Sequence, residues 1–130
     1  MIGVLENKIS QVIEKFRQIE IEISAEKGDF NLFALIERED SLGKWDVLVS
    51  AHWIGKNEKS FIETLASKIY KNLSKEEQLK LSRIVVLSPS DALVKSLNFF
   101  GVKHGTVKLS SNTFNGIFIK EAYLITSNSR

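Results

Sequence analysis

Leu5, Ile9, Val12, Ile13 and Phe16 recur at three- and four-residue steps near the start of the chain. That spacing lines up one apolar stripe and predicts an amphipathic helix over about residues 3–17. In IEIEISAE the period changes to two, with Ile19, Ile21, Ile23 and Ala25 alternating with Glu20, Glu22, Ser24 and Glu26. Alternation of this kind predicts a strand with one buried and one wet face. GDFN reads as a turn with Gly28 free to take positive φ, and LFALIERE follows as a second strand. After a turn at residues 41–44, WDVLVSAHW is a third strand, rich in the Val and Trp that suit a pleated surface.

Register on these strands decides where the polar groups fall. Trp45, Val47, Val49, Ala51 and Trp53 make one apolar face of the third strand, leaving Asp46, Leu48, Ser50 and His52 on the other. Pairing that keeps acids off the apolar face sets Glu39 opposite Asp46 and Phe33 opposite His52. Glu37, Glu39, Asp46 and His52 then form one candidate acidic face.

Further along, Phe61, Ile62, Leu65, Ala66, Ile69, Tyr70 and Leu73 predict a second helix after Gly55, with Asn57 as its cap. SKEE at 74–77 has the form of a capping box, Ser74 with Glu77, and opens a short further helix. Ile84 to Leu87 is a continuous apolar run that reads as a strand buried on both faces and stopped by Pro89. A helix from Ser90 or Asp91 to about Phe100 is ended by Gly101, and two strands follow at about 105–109 and 117–126.

The predicted order is α-β-β-β-α-(α)-β-α-β-β, an α+β or α/β domain with a mixed five- or six-stranded sheet and flanking helices. Tight turns make the first strands antiparallel neighbours, and a helical connection brings a later strand parallel to one of them. Residues 1–126 are expected to form a single globular domain and 127–130 a frayed tail. No internal repeat or low-complexity tract divides the chain.

Composition fits this picture. The chain has 130 residues, 43% hydrophobic and 26% charged, enough for one ordinary core. Cysteine is absent, which excludes disulfides, thiolate metal sites and cysteine nucleophiles and suits a reducing compartment, the cytoplasm by default. Glu6 precedes any long apolar run, so neither a signal peptide nor a membrane span is expected. Net charge is +2 but uneven: nine acids meet five bases in residues 1–40, and seven acids meet thirteen bases beyond. That asymmetry suits an anionic partner or a contact between copies.

Three groups of residues are candidates for chemistry. Two or three carboxylates on adjacent strands are what a hard cation such as Mg²⁺ takes, although an open hairpin face carries charges without needing a function. The order helix, three-stranded meander, helix, strand over about residues 3–88 is similar to the core of the restriction-endonuclease-like nucleases. That resemblance implies an acid on the second strand, here Glu37 or Glu39, and an acid, any residue, then Lys on the third. The third strand reads DVLVSAH, with Asp46 followed two positions on by Leu48, so the expected Lys is missing. The second group is SPSD at 88–91, where Ser88 and Ser90 open a helix and make a candidate anion-binding loop, while Asp91 opposes an anion. In the third, Lys59, Lys68, Lys71, Lys75 and Lys80 give the helical region a basic character suited to nucleic acid, and the adjacent Phe99 and Phe100 cannot both face inward, which suits self-association.

His52 and Ser50 lie two apart on a strand, about 7 Å, too far for a direct hydrogen bond. No catalytic residue, metal or cofactor is therefore expected. The reading favoured by the sequence is a non-catalytic binding or interaction module, partnered by protein or by a second copy. A Mg²⁺-dependent nuclease or phosphodiesterase and a nucleic-acid binder are the alternatives.

Overall fold

The computed structural model describes the backbone of residues 2–38, 40, 43–114 and 116–128, and side chains from residue 9 onward within these ranges apart from 111, 112, 114 and 117. Its first element, α1 (Ile2–Lys27), runs past residue 17 and takes in the whole segment expected to be the first strand. The physical reason is visible in the burial. Ile13, Phe16, Ile19 and Ile23 are all buried, at steps of three, three and four, so the helical stripe continues through residues that also alternate. Ile19 and Ile23 satisfy both periods, and helix propagation from the preceding turns decides between them. Gly28, at φ +117°, ends the helix, its N–H bonding Ser24 O at 2.9 Å.

The remaining elements are β1 (Leu32–Arg38), β2 (Trp45–Ser50), α2 (Glu58–Asn72), α3 (Lys75–Leu79), β3 (Leu81–Val86), α4 (Ala92–Asn98), β4 (Val107–Phe114) and β5 (Ile117–Ser127). They build an α+β domain around one mixed sheet of order β3-β2-β1-β5-β4. β1 and β2 form the predicted hairpin. The α2–α3 connection delivers β3 parallel to β2, as a helical crossover requires. β5 lies antiparallel to β1 on its other side, and β4 pairs with β5 at the edge. Because β1's second neighbour comes from the far end of the chain, the three-stranded meander behind the nuclease resemblance does not exist.

Two apolar layers sandwich β1. On one face α1 and α2 pack over Phe33, Leu35, Val47 and Val49. On the other, α4 covers Leu32, Ala34, Leu48 and Leu124 through Leu93, Val94 and Leu97. Phe30 anchors the first layer, with ring centroids 5.1 Å from Phe33 and 5.2 Å from Trp53. Trp53 in turn donates its indole N–H to Gly28 O, at 3.0 Å. A Cβ at Gly28 would stand 3.2 Å from the Trp53 ring, so both backbone angle and space require glycine there.

Two expectations are corrected at the sheet margins. Ile84–Val86 belong to the edge strand β3 and are half-buried rather than enclosed on both faces. Ser127, expected to fray, is buried, and its N–H bonds Val102 O at 2.7 Å; Asn128 N–H bonds Asn31 O at 2.9 Å. Residues 129 and 130 lie outside the described residues.

Candidate functional site

The acidic face does not assemble. Asp46 pairs with Ile36 and Ser50 with Leu32, three positions away from the register that would set Glu39 opposite Asp46. An odd displacement exchanges the faces. Glu37 therefore lies on the α1 side, accepting the Gly43 N–H at 2.7 Å, while Asp46 lies on the α4 side. Glu39 falls outside the described residues. His52 sits in the turn after β2, exposed and beyond the strand, so Phe33 pairs with Val49 instead. Among the described residues no group of His, Asp and Glu is arranged to hold a metal ion.

Asp46 has a different task. It is 1% exposed, and the Nε atoms of Arg38 and Arg83 both stand 3.2 Å from its Oδ2. Arg83 donates a well-formed hydrogen bond there. Two guanidiniums balance the charge of this carboxylate through Oδ2, and the group links β1, β2 and β3 across the sheet. Arg38 is the neighbour an ion-pair network around these acids would use, whereas Arg83 left no signal in the sequence because it meets Asp46 only through the β2–β3 pairing.

The Ser88–Ser90 loop also turns inward on itself. The two hydroxyls lie 2.8 Å apart and Ser90 N–H bonds Ser88 Oγ. Asp91, not Ser90, caps α4 by accepting the Leu93 N–H at 2.9 Å. A carboxylate at that cap, on a helix of only seven residues, disfavours an anion. Of the lysines, Lys68 is tied to Glu22 at 3.1 Å.

A buried constellation that the sequence hid joins α1 to the other end of the chain. Glu20 is fully buried, with His104 Nδ1 2.7 Å from Oε1 and Thr126 Oγ1 donating to Oε2 at 2.9 Å. His104 holds φ +52°, the positive-φ residue other than glycine among the described residues. Its backbone is pinned on both sides: Thr126 Oγ1 accepts its N–H and its carbonyl accepts from Arg17 Nε. Read as a strand, residues 19–26 placed Glu20 in water; read as a helix, it falls on the buried stripe between Phe16 and Ile23.

Two surface features remain open. The first is the outer edge of β3, beside which Tyr70 is 74% exposed. A shallow groove of about 350 Å³ runs between α2 and β3, lined by Ala66, Ile69, Tyr70 and Ile84 among others. The second is a cavity of about 340 Å³ between α1, α3 and the adjoining strand ends, floored by Ile9, Val12, Ile13, Leu35, Trp45 and Leu81. Its rim carries the Lys15–Glu77 ion pair at 2.8 Å. Glu77 also completes the predicted capping box with Ser74. Burial pushes the Glu77 carboxyl up, but the Lys15 ammonium and the Ser74 N–H outweigh that and hold it below its ordinary value.

Comparison of the chain with protein-family models, with curated proteins and with solved structures finds no match. No helix among the described residues is long and apolar enough to cross a membrane.

Proposed function

We propose that the chain is a non-catalytic interaction module that pairs with a second copy of itself along the free edge of β3. One observation carries this reading: a strand with the apolar sequence of a sheet interior, Ile84-Val85-Val86, stands at the sheet margin. Edge strands are ordinarily blunted by charge, proline or a covering element. Here the one charge on the strand, Arg83, is engaged with Asp46 on the neighbouring strand. Tyr70, one of the large apolar side chains most exposed to water, lines a groove against the same strand. Leu87 N–H bonds Val49 O on β2, and the two-residue repeat of a strand then turns the N–H groups of Ile84 and Val86 outward. An antiparallel β3 from a second copy satisfies them and extends the sheet, as a two-fold interface does. Lack of cysteine suits a cytoplasmic setting for such a module.

Sedimentation velocity over a wide concentration range tests the idea. The wild-type chain is expected to pass from monomer to dimer, and Tyr70→Glu and Val86→Pro are expected to stay monomeric. Proline at 86 removes an outward N–H and leaves the β2 ladder intact. A wild-type chain that remains monomeric at high concentration overturns the proposal. Retention on heparin with steep salt dependence would instead favour the nucleic-acid reading through the lysines of α2 and α3.

A further inference from the structure

We infer that the cavity between α1 and α3 is a binding site for a small, uncharged aromatic molecule. The inference does not rest on self-association, because the cavity lies over the strand ends under α1 and meets β3 only at its first residue, Leu81, away from Ile84 and Val86. A volume of about 340 Å³ falls at the small end of the range of roughly 300–1,000 Å³ typical of small-molecule sites. The floor is apolar, five aliphatic side chains and the Trp45 ring, and Trp45 is itself steadied by Tyr123, with centroids 5.6 Å apart.

Charge at the rim selects against ions. Among the described residues, Lys15 and Lys80 are balanced by Glu76 and Glu77. Glu77, the less exposed of the two rim carboxylates, is already met by Lys15 Nζ at 2.8 Å and by the Ser74 N–H at 2.8 Å. A phosphate would have to face two carboxylates, and a metal ion would have to displace an ammonium. An uncharged ring instead gains apolar contact and disturbs neither.

The wall formed by α3 points the same way. This helix buries no residue of its own. It is held by polar links: Lys15 to Glu77, Gln78 Nε2 to Leu73 O at 2.9 Å, and Lys44 Nζ to Leu79 O at 3.0 Å. Such a wall stands in place without filling the space behind it, so the apolar surface of Ile9, Val12 and Leu81 remains available to a ligand. Flat molecules with one polar atom, of the indole or phenol type, fit both the volume and the mixed rim.

Titration of the ¹⁵N-labelled full chain with indole and with p-cresol, followed by NMR, tests the assignment. Saturable shifts are expected at the Trp45 indole N–H and at the Leu81 amide, with inorganic phosphate and Mg²⁺ producing none there. Val12→Phe fills the cavity and should weaken binding at least tenfold while keeping the wild-type spectrum elsewhere; Ile9→Phe serves the same end should Val12→Phe fail to fold. The inference is overturned if neither probe shifts these signals at millimolar concentration, if both filled variants bind as wild type does, or if phosphate reproduces the indole-induced shifts.

Discussion

Replacing His104 by Ala strips the buried Glu20 carboxylate of its imidazole partner and leaves it with Thr126 alone. Removing one member of a buried pair costs about 3–5 kcal/mol, because the other is left uncompensated. The His104 side chain is 33% exposed, so water can reach part of the vacated space, and about 2–3 kcal/mol is the better expectation. With a urea m-value of about 1.5 kcal/mol/M, the unfolding midpoint should fall by roughly 1.3–2 M. His104→Gly loses the same imidazole but relieves the left-handed backbone at φ +52°. A left-handed residue with a Cβ costs roughly 1–2 kcal/mol, partly offset by the greater freedom glycine loses on folding, so the Gly variant should exceed the Ala variant by up to about 1 kcal/mol. Adding Glu20→Met to His104→Ala removes the orphaned carboxyl group and should recover stability. Two results would refute the reasoning: a midpoint shift below about 0.5 M for His104→Ala, or a double variant less stable than the single one.

Two further predictions concern single groups. Glu77 is held below its ordinary pKa of 4.5, so its contribution is present above that value and is lost as pH falls through its folded-state pKa; the stability gap between wild type and Glu77→Gln, measured by urea unfolding, should be widest at neutral pH and close as the solution is acidified past the ordinary carboxylate range. Gly28→Ala forces a Cβ to φ +117° and to within 3.2 Å of Trp53, and it should cost about 1–3 kcal/mol, with a melting temperature equal to wild type counting against the close approach.

Much of the architecture was legible in the sequence. The β1–β2 hairpin, the helices α2 and α3, the capping box at Ser74 and the helix after Pro89 all announce themselves in local patterns, since each depends on neighbours within a few residues. The segment 19–26 did not, because alternation and helical spacing coincide at Ile19 and Ile23. That misreading carried Glu20 out to solvent and hid its meeting with His104, which lies 84 residues away. Register failed for a related reason. The turn between β1 and β2 sets which residues oppose one another, and because Leu32–Glu37 are buried on both faces, β1 gives no alternation that would separate the observed Ile36–Asp46 pair from a slip of three. Phe99 is 87% exposed while Phe100 packs against the second core layer, the division expected when two adjacent aromatics share a helix end. The apolar cavity left no local signal, since its floor is drawn from α1, β1, β2 and β3.

The place of β5 bears on how the molecule is made. Leu32 at one end of β1 pairs with Ser127, and Arg38 at the other with Ile119, so the most enclosed strand of the sheet is flanked on one side by residues synthesised last among the described elements. A ribosome building the chain from its N-terminus can complete α1, the hairpin and the β3 crossover while that flank of β1 still has no neighbour. Phe33 and Leu35 must wait with one row of backbone groups unpaired. Such long-range pairing slows folding and prolongs the interval in which an apolar edge can meet another nascent chain. Final closure of the sheet is therefore an event that follows translation of β5, and a stalled or truncated chain ending before it exposes the centre of its own core.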